Sequence, residues 1–69
     1  MKKVFNMLVT VEEAVQLEKV LNTFRIGMND WDKSKVFELR GYKLINYTLL
    51  CEEDLFVSIT NVMNGIRVY

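Results

Sequence analysis

The sequence predicts an α+β domain: one amphipathic helix packed on one face of a mainly antiparallel sheet, in the order β-α-β-β-β-β. Three observations carry that expectation. A capped stripe of apolar residues at three- and four-residue intervals follows Thr10. Segments with the two-residue alternation of strands flank it on both sides. Asn64-Gly65 stands between β-compatible neighbours, the strongest short hairpin signal, because both turn positions need positive φ. The alternative is a ferredoxin-like βαββαβ arrangement, in which residues 52–64 form a second helix ending at Gly65. Against it, the run Phe56-Val57-Ser58-Ile59-Thr60 favours strand by propensity.

Taken in order, residues 3–9 place Phe5, Met7 and Val9 on one face and Val4 and Leu8 on the other, as in a strand partly buried on both sides. Thr10-Val11-Glu12-Glu13 has capping-box spacing, and its acids favour the positive end of a helix dipole. Ala14, Leu17, Val20, Leu21 and Phe24 then form the apolar face of a helix over residues 11–26, with Gly27 as C-terminal cap. Residues 28–34 read as a polar loop carrying Trp31, and residues 35–40 as a strand with Phe37 and Leu39 on one face. A turn around Arg40-Gly41-Tyr42 sets Phe37 opposite Ile45, both toward the core. Glu52-Glu53-Asp54, taken as a three-residue turn, pairs Cys51 with Leu55, Leu49 with Val57 and Tyr47 with Ile59. That register is preferred because a one-residue slip exchanges the faces of a strand. The last turn pairs Met63 with Ile66, leaving a short C-terminal edge strand over residues 66–69.

Composition narrows the chemistry. The 69 residues suit a single domain over residues 1–69, near the lower size at which a hydrophobic core alone folds a chain. With 51% hydrophobic residues and nine Lys+Arg balancing nine Asp+Glu, the chain is too apolar and too evenly charged for intrinsic disorder. There is no His, which removes Ser/His and Cys/His triads, His-ligated zinc and the usual general base. One Cys removes disulfide frameworks and CxxC sites. Lys2-Lys3 is followed by no signal-peptide pattern, and no apolar run reaches the length of about 18 residues that a membrane span needs. With its lone thiol, the chain reads as cytoplasmic and without membrane association.

The acidic run Glu52-Glu53-Asp54 reads as a solvated turn rather than a metal site, since hard-cation sites draw oxygens from separated positions. Cys51 reads as a buried structural thiol, and Asp30 and Asp32 as loop residues beside Trp31. No glycine-rich phosphate loop exists among three glycines. No catalytic, cofactor or metal site is expected, and the chain reads as non-enzymatic.

What remains is the second face of the sheet. One helix covers one side, leaving Val4, Leu8, Leu44, Leu50, Phe56, Val62 and Tyr69 on the other among Asn46, Thr48, Ser58, Thr60 and Arg67, a mixed face that is neither fully polar nor a dry core. Scattered surface apolars are ordinary, whereas a contiguous patch of several hundred Å² marks an interaction site. The expected function is therefore a small interaction module, a regulator, inhibitor or accessory protein of the sort also encoded by phages and mobile elements. It would bind a protein partner or itself through the uncovered face or an edge strand. Leu44, Leu50, Phe56, Val62 and Tyr69 are the expected contacts, with Trp31 as an outlying aromatic anchor. The alternative is single-stranded nucleic-acid binding by residues 31–47. There Lys33, Lys35, Arg40 and Lys43 interleave with Trp31, Phe37, Tyr42 and Tyr47, but Asp30, Asp32 and Glu38 dilute the charge.

Overall fold

The structure, a computed structural model, describes residues 1–67. Its elements are β1 (Lys3–Thr10), α1 (Val11–Thr23), β2 (Trp31–Lys33), β3 (Phe37–Leu39), β4 (Tyr42–Cys51) and α2 (Glu53–Arg67). The class is the expected one: an antiparallel α+β arrangement with α1 on one face of the sheet. β4 is its axis, with β1 along its whole length on one side and the short β2 and β3 end to end on the other. Phe5, Met7 and Val9 of β1 and Ile45, Tyr47, Leu49 and Cys51 of β4 face the helices; Val4 and Leu8, Leu44 and Leu50 face away.

The Thr10 capping box forms in full. The Thr10 hydroxyl accepts from the Glu13 amide at 3.2 Å, and the Glu13 carboxylate accepts from the Thr10 amide at 2.9 Å. The helix ends earlier than its apolar stripe suggests, and not at Gly27. Arg25 takes the left-handed conformation at φ 59°. Its amide donates to Asn22 O and the Ile26 amide to Leu21 O, both at 3.0 Å, the two bonds of a Schellman stop. Burial of Ile26 beside Leu21 supplies the apolar contact of that motif.

The C-terminal quarter differs from expectation. The hairpin over residues 55–66 does not exist; those residues belong to α2, and Tyr69 lies outside the described residues. The second helix is thus placed as in the ferredoxin-like alternative, though it runs through Gly65 rather than stopping there. The segment holds two apolar periods at once: 55, 57, 59 suits a strand and 55, 59, 63 suits a helix. Burial decides between them. Ile59 and Met63 are fully buried with Leu55 and Phe56 packed beside them, while Val57 and Val62 are exposed. The ring of Phe56 stacks on Phe5 at 4.2 Å and 6°. The thirteen residues of α1 span about 20 Å at ~1.5 Å per residue, too little to cover the helix-side face of β1 and β4. A further hairpin would have widened the sheet and the area needing cover; a second helix closes it. Glu53 and Asp54 then sit in the first turn of α2, where the dipole favours them, and not at a hairpin tip. Ser58 and Thr60 return their hydroxyls to the carbonyls of Asp54 and Phe56 one turn back.

A bulge corrects a second expectation. β2 pairs with β4 as Trp31↔Leu49 and Lys33↔Tyr47, whereas β3 pairs as Phe37↔Leu44 and Leu39↔Tyr42. The paired numbers sum to 80 in the first case and 81 in the second, so one extra residue lies between the two strands. The Ser34 amide still donates to Asn46 O at 2.9 Å in the β2 register, so the extra residue follows Ser34, whose hydroxyl accepts from the Asn46 amide at 3.0 Å and donates to Lys35 O at 2.9 Å. The β3–β4 turn is correspondingly a two-residue one, Arg40-Gly41, with φ of 52° and 83°. Phe37 therefore faces Leu44 rather than Ile45, and with Leu39 it moves from the expected core side to the open side. Residues 31–33, expected as loop, form β2, and Trp31 packs on Tyr47 on the helix side at 5.7 Å between ring centres.

Candidate interaction surface

Alternation along β4 and pairing with its neighbours define the open face from the backbone upward. Val4, Asn6 and Leu8 come from β1, and Tyr42, Leu44, Asn46, Thr48 and Leu50 from β4; Phe37 and Leu39 of β3 and Asp32 of β2 complete it. No described helix covers this side. Large apolar side chains stay open to solvent across it: Val4 and Tyr42 at 65%, Leu8 and Leu39 at 48%, Phe37 at 39% and Leu50 at 38%. They form two groups. Leu8, Leu44, Phe37, Leu39 and Tyr42 gather at the end near the β3–β4 turn, and Val4 and Leu50 pair at the other.

Between the groups lies an uncharged polar centre. Asn6 Oδ1 accepts from Asn46 Nδ2 at 3.3 Å and from Thr48 Oγ1 at 3.0 Å, so three side chains from β1 and β4 hold one another in place. Beside Val4 and Leu50 the surface dips into a hollow of about 160 Å³, walled by Trp31, Asp30, Asp32 and Thr48. In that hollow Asp32 Oδ1 accepts from the Lys33 amide at 2.8 Å, and Asp30 Oδ2 lies 3.5 Å from Lys2 Nζ.

Of the residues expected to contact a partner, Leu44 and Leu50 lie on this face. Phe56 and Val62 do not, because α2 carries them to the opposite side, where Phe56 is part of the packing against β1. Trp31 packs its ring on Tyr47 on the helix side and is also among the residues lining the hollow. Alternation alone places Val4 and Leu8 on this face. It does not place Phe37, Leu39 and Tyr42 there; the signals that do are Ser34 ahead of the strand and Gly41 in a two-residue turn.

The basic and aromatic array of residues 31–47 is dispersed by the fold. Tyr47 is fully buried, and Lys33 Nζ is held 3.1 Å from Glu18 on the helix side. Lys43 pairs with Glu38 on the face opposite Phe37 and Tyr42. A base-stacking platform with phosphate contacts along one groove is not assembled by these positions.

Chemically reactive arrangements elsewhere are similarly accounted for. Burial, with Glu52 and Asp30 nearby, pushes the Cys51 thiol up, away from the thiolate that a nucleophile needs. Glu52 accepts from the Met1 amino group at 2.8 Å and Glu53 lies 3.7 Å from Lys3. Among the described residues no three His, Cys, Asp or Glu side chains come together as metal ligands, and no helix is long and apolar enough to cross a membrane. No family model, curated protein or solved structure matches the chain.

Proposed function

We propose that this chain is a non-enzymatic interaction module that binds protein through the open face of its sheet. The observation carrying the reading is the row of exposed apolar side chains from Val4 and Leu50 to Phe37, Leu39 and Tyr42, set on a rigid sheet around a fixed amide centre. Isolated surface apolars are ordinary, but Leu8, Phe37, Leu39 and Tyr42 gathered at one end of the face around Leu44 are a patch, and patches of this kind serve association. The Ser34 bulge supports the same reading. It turns Phe37 and Leu39 outward, where they do nothing for the core, and bulges commonly re-aim side chains at working surfaces. The edge of β1, unpaired among the described residues, adjoins the patch with Lys2 and Lys3 at its start; the face is the better candidate because it presents side chains as well as backbone.

A photo-crosslinking amino acid placed at Leu8 or Tyr42 tests this in the native cell, with exposed Val15 on α1 as the control position. Discrete heavier adducts from Leu8 and Tyr42, and none from Val15, are expected. Adducts from all three alike, or from none, would reject the open face as a docking site.

A further inference from the structure

We infer, resting on that reading of the open face, that its occupant is a second copy of this chain, the two sheets packing face to face about a twofold axis. Polar complementarity points to self. Asn6 Oδ1 takes both hydrogen bonds of the central triad, so the Asn6 amide hydrogens and the Asn46 carbonyl oxygen have no partner among the described residues. A twofold interface sets a patch against itself and so needs donors and acceptors in equal supply on that patch. Here the Asn6 amide of each copy donates to the Asn46 carbonyl of the other.

Charge gives the same answer. The strand positions of the face carry no ionised side chain except Asp32 at its margin on β2. A charged partner finds nothing to pair with, whereas two copies bring no like charges together at the centre. The chain as a whole is formally neutral, so no long-range repulsion opposes self-association.

The area is adequate as well. Ten residues of β4 at about 3.4 Å each, and three strand positions about 4.8 Å apart with side-chain margin, give roughly 500–700 Å² of flat face. A stable complex covers about 800 Å² per partner, which the relief of the side chains brings within reach. Aligned sheets pack about 10 Å apart with strands within about 30°. The dimer is then four layers deep, helices outside and two sheets inside, with Leu8, Phe37, Leu39 and Tyr42 dry between them.

Sedimentation of the purified chain between about 1 and 100 µM, the micromolar range in which modest interfaces dissociate, tests the inference. The expected mass is twice the 8.2 kDa chain. Asn6→Asp keeps the oxygen that Asn46 and Thr48 donate to, so the monomer fold persists, but it removes the amide donor and sets a carboxylate against the Asn46 carbonyl of the other copy. It should raise the dissociation constant by at least about 100-fold, as should Leu8→Asp, while Val15→Asp leaves the mass unchanged. A chain that stays monomeric at 100 µM overturns the inference. So does a dimer that both folded face variants leave intact. A monomeric chain that still crosslinks to other proteins from Leu8 and Tyr42 rejects the second copy alone; a monomer without such adducts rejects the docking face too.

Discussion

Tyr47 illustrates what one polar atom inside a core demands. Its ring is fully buried between the helices and β4, and its hydroxyl donates to Glu18 on α1, which Lys33 of β2 also approaches at 3.1 Å. The Tyr47 hydrogen bond holds the Glu18 carboxyl below its ordinary 4.5, against burial, with Lys33 assisting. Burial, and then the same carboxylate, pushes the Tyr47 phenol well above its ordinary 10.0. The signs define a window. A lowered carboxyl stabilises the fold above its unfolded value and loses that effect as pH falls through the folded one, below about 4.5. A raised phenol contributes fully below 10.0 and loses its effect as pH climbs beyond. Tyr47→Phe should cost about 1 kcal/mol at neutral pH, below the ~1.5–3 kcal/mol of a bond to a buried charged group because Glu18 can turn to water. Urea melts against pH should also show its alkaline decline flattened. Glu18→Gln should flatten the acid limb. Arg25 is a simpler case: a side chain in a left-handed stop at φ 59°. Arg25→Gly should raise stability by about 0.5–1 kcal/mol, read as a higher denaturation midpoint with an unchanged slope.

At the scale of elements, α2 and the β2–β3 strand show local signals outvoted. Asn64-Gly65 is a hairpin turn in isolation and a helical turn here, because the neighbouring Ile59 and Met63 are worth more on the sheet than in another strand. The cost of keeping β-branched Val57 and Val62 in an exposed helical position is about 0.5 kcal/mol each. Two substitutions check this element directly. Gly65→Ala meets no atom within 4 Å of the added methyl and should stabilise a helix by about 0.5–1 kcal/mol. Val57→Ala should add a few tenths to about 0.5 kcal/mol. Both would weaken a hairpin, so thermal melts of the two variants give opposite signs for the two structures. The bulge at Ser34 is the other reversal. One hydroxyl takes the place of a backbone acceptor opposite Asn46, and Phe37 and Leu39 change sides of the sheet beyond it.

For the whole molecule, both helices lie on one side of the sheet and none of the described residues covers the other, in a body only 16 Å deep along its shortest axis. On the proposed reading, stability and association belong to different faces. A charge on the helix side removes core: Met63→Asp, at a fully buried position, should abolish cooperative folding. A charge on the open side, Leu8→Asp, should leave the circular dichroism spectrum and the monomer's stability within about 0.5 kcal/mol of the parent chain. Urea titrations at low micromolar concentration separate the two. If Leu8→Asp unfolds the monomer as Met63→Asp does, the face is structural and not a docking surface.

The sequence by itself determined what short-range chemistry can determine. The Thr10–Glu13 box starts α1, alternation sorts Phe5, Met7 and Val9 from Val4 and Leu8, and Cys51 and Tyr47 read as core because their neighbours at two-residue spacing are apolar. The absence of His and the single Cys likewise narrowed the chemistry without any fold. Tertiary structure decided the rest. Whether residues 55–63 ride as strand or helix depends on how much of the sheet α1 leaves uncovered, which no local window contains. Which way Phe37 and Leu39 point depends on the registers of two strand pairs that differ by one residue, set by where Ser34 meets Asn46 across the sheet. Side-chain period is local; the side of the sheet on which it starts is a property of pairing, and pairing is long-range.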